Sequence, residues 1–312
     1  MTVQLKLLAQ GFGAEVSDFD AQHGRSPGDI AALQHALTSH SLLLFRGCGR
    51  LSAQRQAEII GWFGTVGAGS LPEGELATTM DNANDRGRAR LPFHSDITFF
   101  RYPIEGISLH PLELPAVDTS TTYISNAVAW DTLPPHLQNM LRDRKARHYY
   151  QDDGKIGNEA QVFETWHPVC LPHYRTGRPL LFVTEHHVDR IDGFAPTQNA
   201  QMLQELFAHL YAPARQYEHV WRHGDLVIWD NYAIQHARTR EANPADGRRL
   251  LQRVWFGEHG YADQLEQLKD RRGAAAVDAV PVPFKDVEAQ TAPYRPKPAR
   301  TLSAARPYSS SV

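Results

Sequence analysis

Three side chains in this 312-residue chain have the types and spacing to hold one metal ion: His94, Asp96 and His236. Residues i and i+2 of an extended strand point to the same face, so a His-x-Asp pair can present an imidazole and a carboxylate to one ion. His236, at the end of Trp229-Asp230-Asn231-Tyr232-Ala233-Ile234-Gln235-His236, is the candidate third ligand. Two histidines and one carboxylate leave coordination positions open, which is the donor set of non-haem Fe(II) oxygenases. Zinc hydrolases use the same donors. A lone His-x-Asp carries little weight, because most of the 16 histidines must serve structural roles.

A second group lies in Arg248-Arg249-Leu250-Leu251-Gln252-Arg253-Val254-Trp255-Phe256. Read as a strand over 249–256, it places Arg249, Leu251, Arg253 and Trp255 on one face. Guanidinium groups beside Leu and Trp are costly to bury without anions. A dicarboxylate would serve one arginine through a bidentate pair, and an anionic substrate the other. Acidic side chains of the protein on a solvated face would serve as well.

The elements that must position these groups read mostly as strands: 5–8, 14–16, 41–45, 76–80, 104–109, 119–124, 180–184, 217–221, 226–229 and 249–256. Helices are expected over 29–40 behind Ser26-Pro27, over 52–63 from a Ser52 cap, over 126–142 with a break at Pro134-Pro135, and over 197–211. Strands with little helix alternation predict a mainly β fold with flanking helices, an antiparallel sheet pair or barrel. One domain is expected over 1–272. The Ala/Pro-rich tail 273–312 is expected to be extended and able to wrap a neighbouring chain.

A net charge of −3 gives no basic surface for nucleic acid or for an anionic membrane. Cys48 and Cys170 are the only cysteines, so a disulfide framework is not expected and a cytoplasmic location is. No signal peptide is read at the N-terminus, and no apolar run approaches a membrane span.

Taken in order, Phe93-His94-Ser95-Asp96-Ile97-Thr98-Phe99, Val117-Asp118-Thr119, His167-Pro168-Val169, Thr176-Gly177-Arg178-Pro179-Leu180, Gly224-Asp225-Leu226-Val227-Ile228-Trp229-Asp230-Asn231, His236 and Arg248-Arg249 resemble the taurine dioxygenase / 2,4-dichlorophenoxyacetate dioxygenase family. The resemblance implies a double-stranded β-helix (jelly roll), Fe(II), and 2-oxoglutarate and O2 as co-substrates. It implies hydroxylation of a small organic anion, with C–O or C–S cleavage where the hydroxylated carbon carries a heteroatom, and release of succinate and CO2. By position it makes His94, Asp96 and His236 the metal ligands, and Thr119 and Arg249 the holders of the distal carboxylate of 2-oxoglutarate. Arg253 and the Ile97 backbone N–H would meet the substrate's anionic group. Related halogenases lack the carboxylate, so Asp96 favours hydroxylation.

The aromatic residues of 98–102, Phe99 foremost, are a candidate lid and pocket wall. No histidine falls within 62–81, where the taurine enzyme has one for its sulfonate. The expected substrate is therefore another anion, such as an aryloxyalkanoate, a sulfonate or an alkyl sulfate. The alternatives are an amino-acid-derived or secondary-metabolite substrate, a zinc hydrolase on the same ligands, or a jelly-roll binding protein without catalysis. The family also implies a homodimer or tetramer.

Overall fold

The computed structural model describes residues 4–67, 76–153 and 160–259. The tail and its expected boundary at 272 lie outside them. The largest sheet has seven strands, in the order Gln4–Leu7, Ala14–Ser17, Leu42–Phe45, Leu226–Asp230, Gly106–Glu113, Leu250–Phe256, Thr78–Asp81. A four-stranded sheet runs Tyr217–Val220, Ser120–Ser125, Ile234–Arg238, Leu91–His94. The pairing is antiparallel except between Ala14–Ser17 and Leu42–Phe45.

The two sheets share one core. Leu42, Leu44, Val227, Trp229, Leu251 and Trp255 of the large sheet pack with Tyr123 and Ile234 of the small one. Their chain neighbours Leu43, Phe45, Leu226, Ile228, Val254 and Phe256 face the other way. There they meet Leu33 and Leu37 of helix Pro27–His40, and Ile59 and Ile60 of helix Ala53–Ile60. The small sheet's outer face, through Phe93, Ile124 and Ala237, is covered by helices Asn126–Asp131, Pro135–Leu141 and Pro196–Leu210. The result is the expected jelly roll with helices on both sides. Strands covered on both faces read as unbroken apolar runs, which is why 41–45 and 226–229 are visible in the sequence.

The helix signals act as read. Ser26 Oγ accepts from the Asp29 N–H and Ser52 Oγ from the Arg55 N–H, each at 3.1 Å. The helix expected over 52–63 stops earlier, at Ile60. Pro134-Pro135 separates two helices as expected.

Several strands escape the sequence reading. Lys145–Asp153 and Ala160–Pro168 pair antiparallel, with Val188–Ile191 on the outer side of the first. The buried positions of Lys145–Asp153 include Ala146, His148 and Asp152. Leu91–His94 and Ile234–Arg238, which carry the candidate ligands, likewise bury polar groups. Hydrophobic periodicity does not register strands whose inward side chains are polar.

Candidate metal centre and its anion pocket

His94 and His236 are direct cross-strand partners, and their ring centroids lie 4.2 Å apart. Asp96 arrives differently from the sequence expectation. The strand ends at His94, and residues 96–99 form a turn with Ile97 at φ 52°. The single-strand alternation expected for His94 and Asp96 is therefore corrected. The physical reason is Asn231, which is fully buried. Its Oδ1 accepts from the Asp96 N–H at 2.8 Å, and its Nδ2 donates to the carbonyls of Asp96 and Ile104, both at 3.0 Å. Left-handed backbone at a β-branched residue costs of order 1–3 kcal/mol, and the Asn231 clamp helps to offset it.

The turn swings the Asp96 carboxylate beside both rings. Its Oδ1 lies 3.2 Å from His94 Nε2 and 3.7 Å from His236 Nε2. One ligand atom from each of the three residues falls within 4.8 Å of the others. His94 Nδ1 lies 2.8 Å from the Pro92 carbonyl, which can only accept, so Nδ1 carries a proton and Nε2 is the atom turned toward the cluster. Burial, then the charge of His94, pushes the His236 pKa down to about 3, so this imidazole is neutral near pH 7. Burial alone would raise the Asp96 pKa. The charge of Arg253, then His94 and His236, outweighs burial and holds it well below the usual carboxylate range. Two imidazoles and an ionised carboxylate fit a divalent metal.

Arg253 touches the outer face of this cluster, where its Nη2 donates to Asp96 Oδ2. An acidic partner for Arg253 was one of the two sequence alternatives, but the pair is not on a solvated face: the side chains are 20% and 16% exposed. The remaining guanidinium N–H groups find no acceptor among the described residues.

Arg249 differs. It is 2% exposed, its Nε donates to Thr119 Oγ1 at 2.9 Å, and no carboxylate pairs with it among the described residues. Burial, then the charge of Arg238, pushes its pKa down to about 10. Two further buried polar groups without partners stand against His236: the Tyr123 hydroxyl and Trp229 Nε1. Buried polar groups are normally satisfied, and the described residues supply no carboxylate to Arg249 and no acceptor of good geometry to the other two.

Residues 98–100, part of the segment expected as lid and pocket wall, are tied to the neighbouring strand Ala160–Pro168. His167 Nε2 donates to the carbonyls of Thr98 and Phe100 at 2.9 and 3.1 Å, and Thr165 Oγ1 to that of Phe99 at 3.0 Å. Phe99 stacks against Tyr150 and Phe163 with centroids 5.0 and 5.9 Å away. His187 meets Phe99 on one side at 5.2 Å and His94 on the other at 6.2 Å. Sequence reasoning assigned no role to Asn231, His167 or His187. The signals available were the Asn after Trp229-Asp230 and the His186-His187 doublet closing an apolar run.

A jelly roll carrying two histidines and a carboxylate at donor distance has the donor set of a mononuclear non-haem oxygenase. The chain belongs to the taurine catabolism dioxygenase TauD/TfdA family, which it matches over residues 4–255. It is 26% identical to an alkylsulfatase of Acinetobacter baylyi, over 86% of this chain and 91% of that protein. It is also 26% identical to an alpha-ketoglutarate-dependent 2,4-dichlorophenoxyacetate dioxygenase of Burkholderia sp. strain RASC, over 77% and 90%. A crystal structure of a taurine dioxygenase from Burkholderia xenovorans superposes with a TM-score of 0.70, at 22% identity, over 82% of this chain and 89% of that one. The enzyme is thus a 2-oxoglutarate-dependent dioxygenase, an oxidoreductase working with Fe(II) and O2 and releasing succinate and CO2. Among the described residues, no helix is long and apolar enough to cross a membrane.

Proposed function

We propose that His94, Asp96 and His236 hold the Fe(II), that Arg249 and Thr119 hold the far carboxylate of 2-oxoglutarate, and that the primary substrate is a small organic anion. Arg253 and the Ile97 N–H meet its charged group, and the Phe99 wall packs its body. The observation that carries this reading is Arg249, a buried cation with a hydroxyl beside it and no acid among the described residues to neutralise it. A dicarboxylate co-substrate supplies that acid.

Iron bound at the three ligands supplies the oxidising chemistry, and the protein contributes positioning and exclusion of water. Asn231 fixes the carboxylate ligand. Arg253 has five N–H donors, so it can keep Asp96 Oδ2 and still bind a substrate anion. The two relatives above, named for alkyl sulfates and an aryloxyacetate, support an anionic substrate. Where hydroxylation falls on a carbon bearing oxygen, the product collapses to a carbonyl compound and the freed anion. We further propose that 1–272 is the catalytic domain, that the enzyme is cytoplasmic, and that it forms a dimer or tetramer to which the 273–312 tail contributes.

The test is a panel of alkyl sulfates, sulfonates and aryloxyalkanoates, scored by succinate release above the substrate-free background. At least one anion should raise succinate release, and Arg253→Ala should raise the KM for that anion while leaving the KM for 2-oxoglutarate unchanged. If Arg253→Ala instead raises the KM for 2-oxoglutarate, the roles of the two arginines are exchanged.

A further inference from the structure

Tyr123 lies on the strand Ser120–Ser125, directly across from His236 in the register. It is fully buried and faces the core between the two sheets. Alternation along an extended chain puts Thr119, Thr121 and Tyr123 on one side. Thr119 Oγ1 is the acceptor for Arg249 Nε. Thr121 Oγ1 is the acceptor for Trp221 Nε1 at 3.0 Å. No hydrogen bond of good geometry reaches the Tyr123 hydroxyl from the described residues; Thr121, already the acceptor for Trp221, is its one near polar neighbour on the strand. Its ring is set edge-on to Trp229 at 5.3 Å, with the Tyr217 ring stacked at 6.4 Å. Arg249 is near enough for its charge to act on the phenol.

A buried hydroxyl without a partner costs stability unless something satisfies it. A phenylalanine would fill the same space without that cost. The hydroxyl sits on the side that carries Thr119, within the field of an arginine that also lacks an anion.

We propose that Tyr123 is a third anchor for 2-oxoglutarate, its hydroxyl donating to the far carboxylate beside Arg249 and Thr119. The inference rests on the Arg249 reading above. It assigns Tyr123 to co-substrate binding and specificity, with no part in holding the metal. With its hydroxyl on the far carboxylate, the ring would bound the co-substrate at that end, and a longer 2-oxo diacid such as 2-oxoadipate would meet it.

The test is Tyr123→Phe, which keeps the ring and removes the donor. A hydrogen bond to a carboxylate predicts that the KM for 2-oxoglutarate rises about tenfold. The turnover number at saturating 2-oxoglutarate, the Mn(II) affinity and the melting temperature of the ligand-free protein should not fall. Tyr123→Ala should in addition let 2-oxoadipate support turnover. A KM change of less than about threefold in Tyr123→Phe overturns the inference. So does a lower melting temperature of ligand-free Tyr123→Phe, because the hydroxyl would then be serving the fold. Arg249→Ala distinguishes the two levels. If it leaves the KM for 2-oxoglutarate unchanged, the pocket itself is misassigned; if it raises the KM and Tyr123→Phe does not, only the role of Tyr123 fails.

Discussion

Arg249 is a buried cation that the described residues leave without a counter-ion. Replacing a buried charge with an apolar side chain of similar volume is often neutral or stabilising. Arg249→Met should therefore melt no lower than the wild type without ligand, and its KM for 2-oxoglutarate should rise about a hundredfold. Thermal melts with and without 2-oxoglutarate check both parts: the wild type should be stabilised by the ligand and the variant should not. Asn231 works in the opposite sense. Its side chain makes three bonds that hold the turn after His94. Asn231→Ala should cost about 2–3 kcal/mol and also weaken Mn(II) binding, because Asp96 loses its fixed position. Undiminished Mn(II) affinity in that variant would show that Asp96 needs no clamp.

The strands set the spacing of these residues, and their packing leaves little slack. At Gly106 an added Cβ would lie 2.1 Å from Phe256 Cζ and 2.9 Å from the Trp229 carbonyl. Gly106→Ala must therefore displace the Phe256 ring and crowd the Trp229 carbonyl, costing about 1–3 kcal/mol and disturbing Asn231 two residues on. Chemical denaturation measures the first effect and Mn(II) titration the second; an unchanged denaturation midpoint would mean the ring and the carbonyl give way freely. Of the large-sheet strands, Leu42–Phe45 and Leu226–Asp230 were legible as apolar runs, broken only by the terminal Asp230, and Leu250–Phe256 by the alternation of its arginines with Leu251 and Trp255. Leu91–His94 and Ile234–Arg238 were not, because Gln235 and Arg238 are buried as polar groups and the histidines face the site. The ligands themselves were legible from residue type and motif. The turn that delivers Asp96 was not, since it depends on Asn231, distant in sequence. The lack of an acid beside Arg249 was equally invisible, because it is a fact of packing.

At the scale of the whole molecule, buried histidines away from the metal ligands couple the fold to pH. Burial holds the His148 pKa well below its ordinary 6.5, and lowers that of His167 to about 4. The unfolded chain therefore takes up protons before the folded one. Stability is full above about pH 6.5 and falls as the pH drops toward 4, by about 1.4 kcal/mol per pH unit for each such histidine. The metal-free protein should melt at a lower temperature at pH 5 than at pH 7, and His167→Gln should flatten that slope. A melting temperature constant from pH 7 to 5 would mean that these imidazoles are not buried.

On the proposed reading His94, Asp96 and His236 would hold the iron, and Arg249 the far end of a 2-oxoglutarate bound beside it. The most direct measurement is an anaerobic titration of Fe(II) and 2-oxoglutarate, followed by the visible charge-transfer absorption of a 2-oxo acid chelated to Fe(II). The wild type should develop the band with one Fe(II) per chain, Arg249→Met only at much higher 2-oxoglutarate, and Asp96→Ala not at all. A band of wild-type strength in Asp96→Ala, at the same 2-oxoglutarate concentration, would contradict the claim.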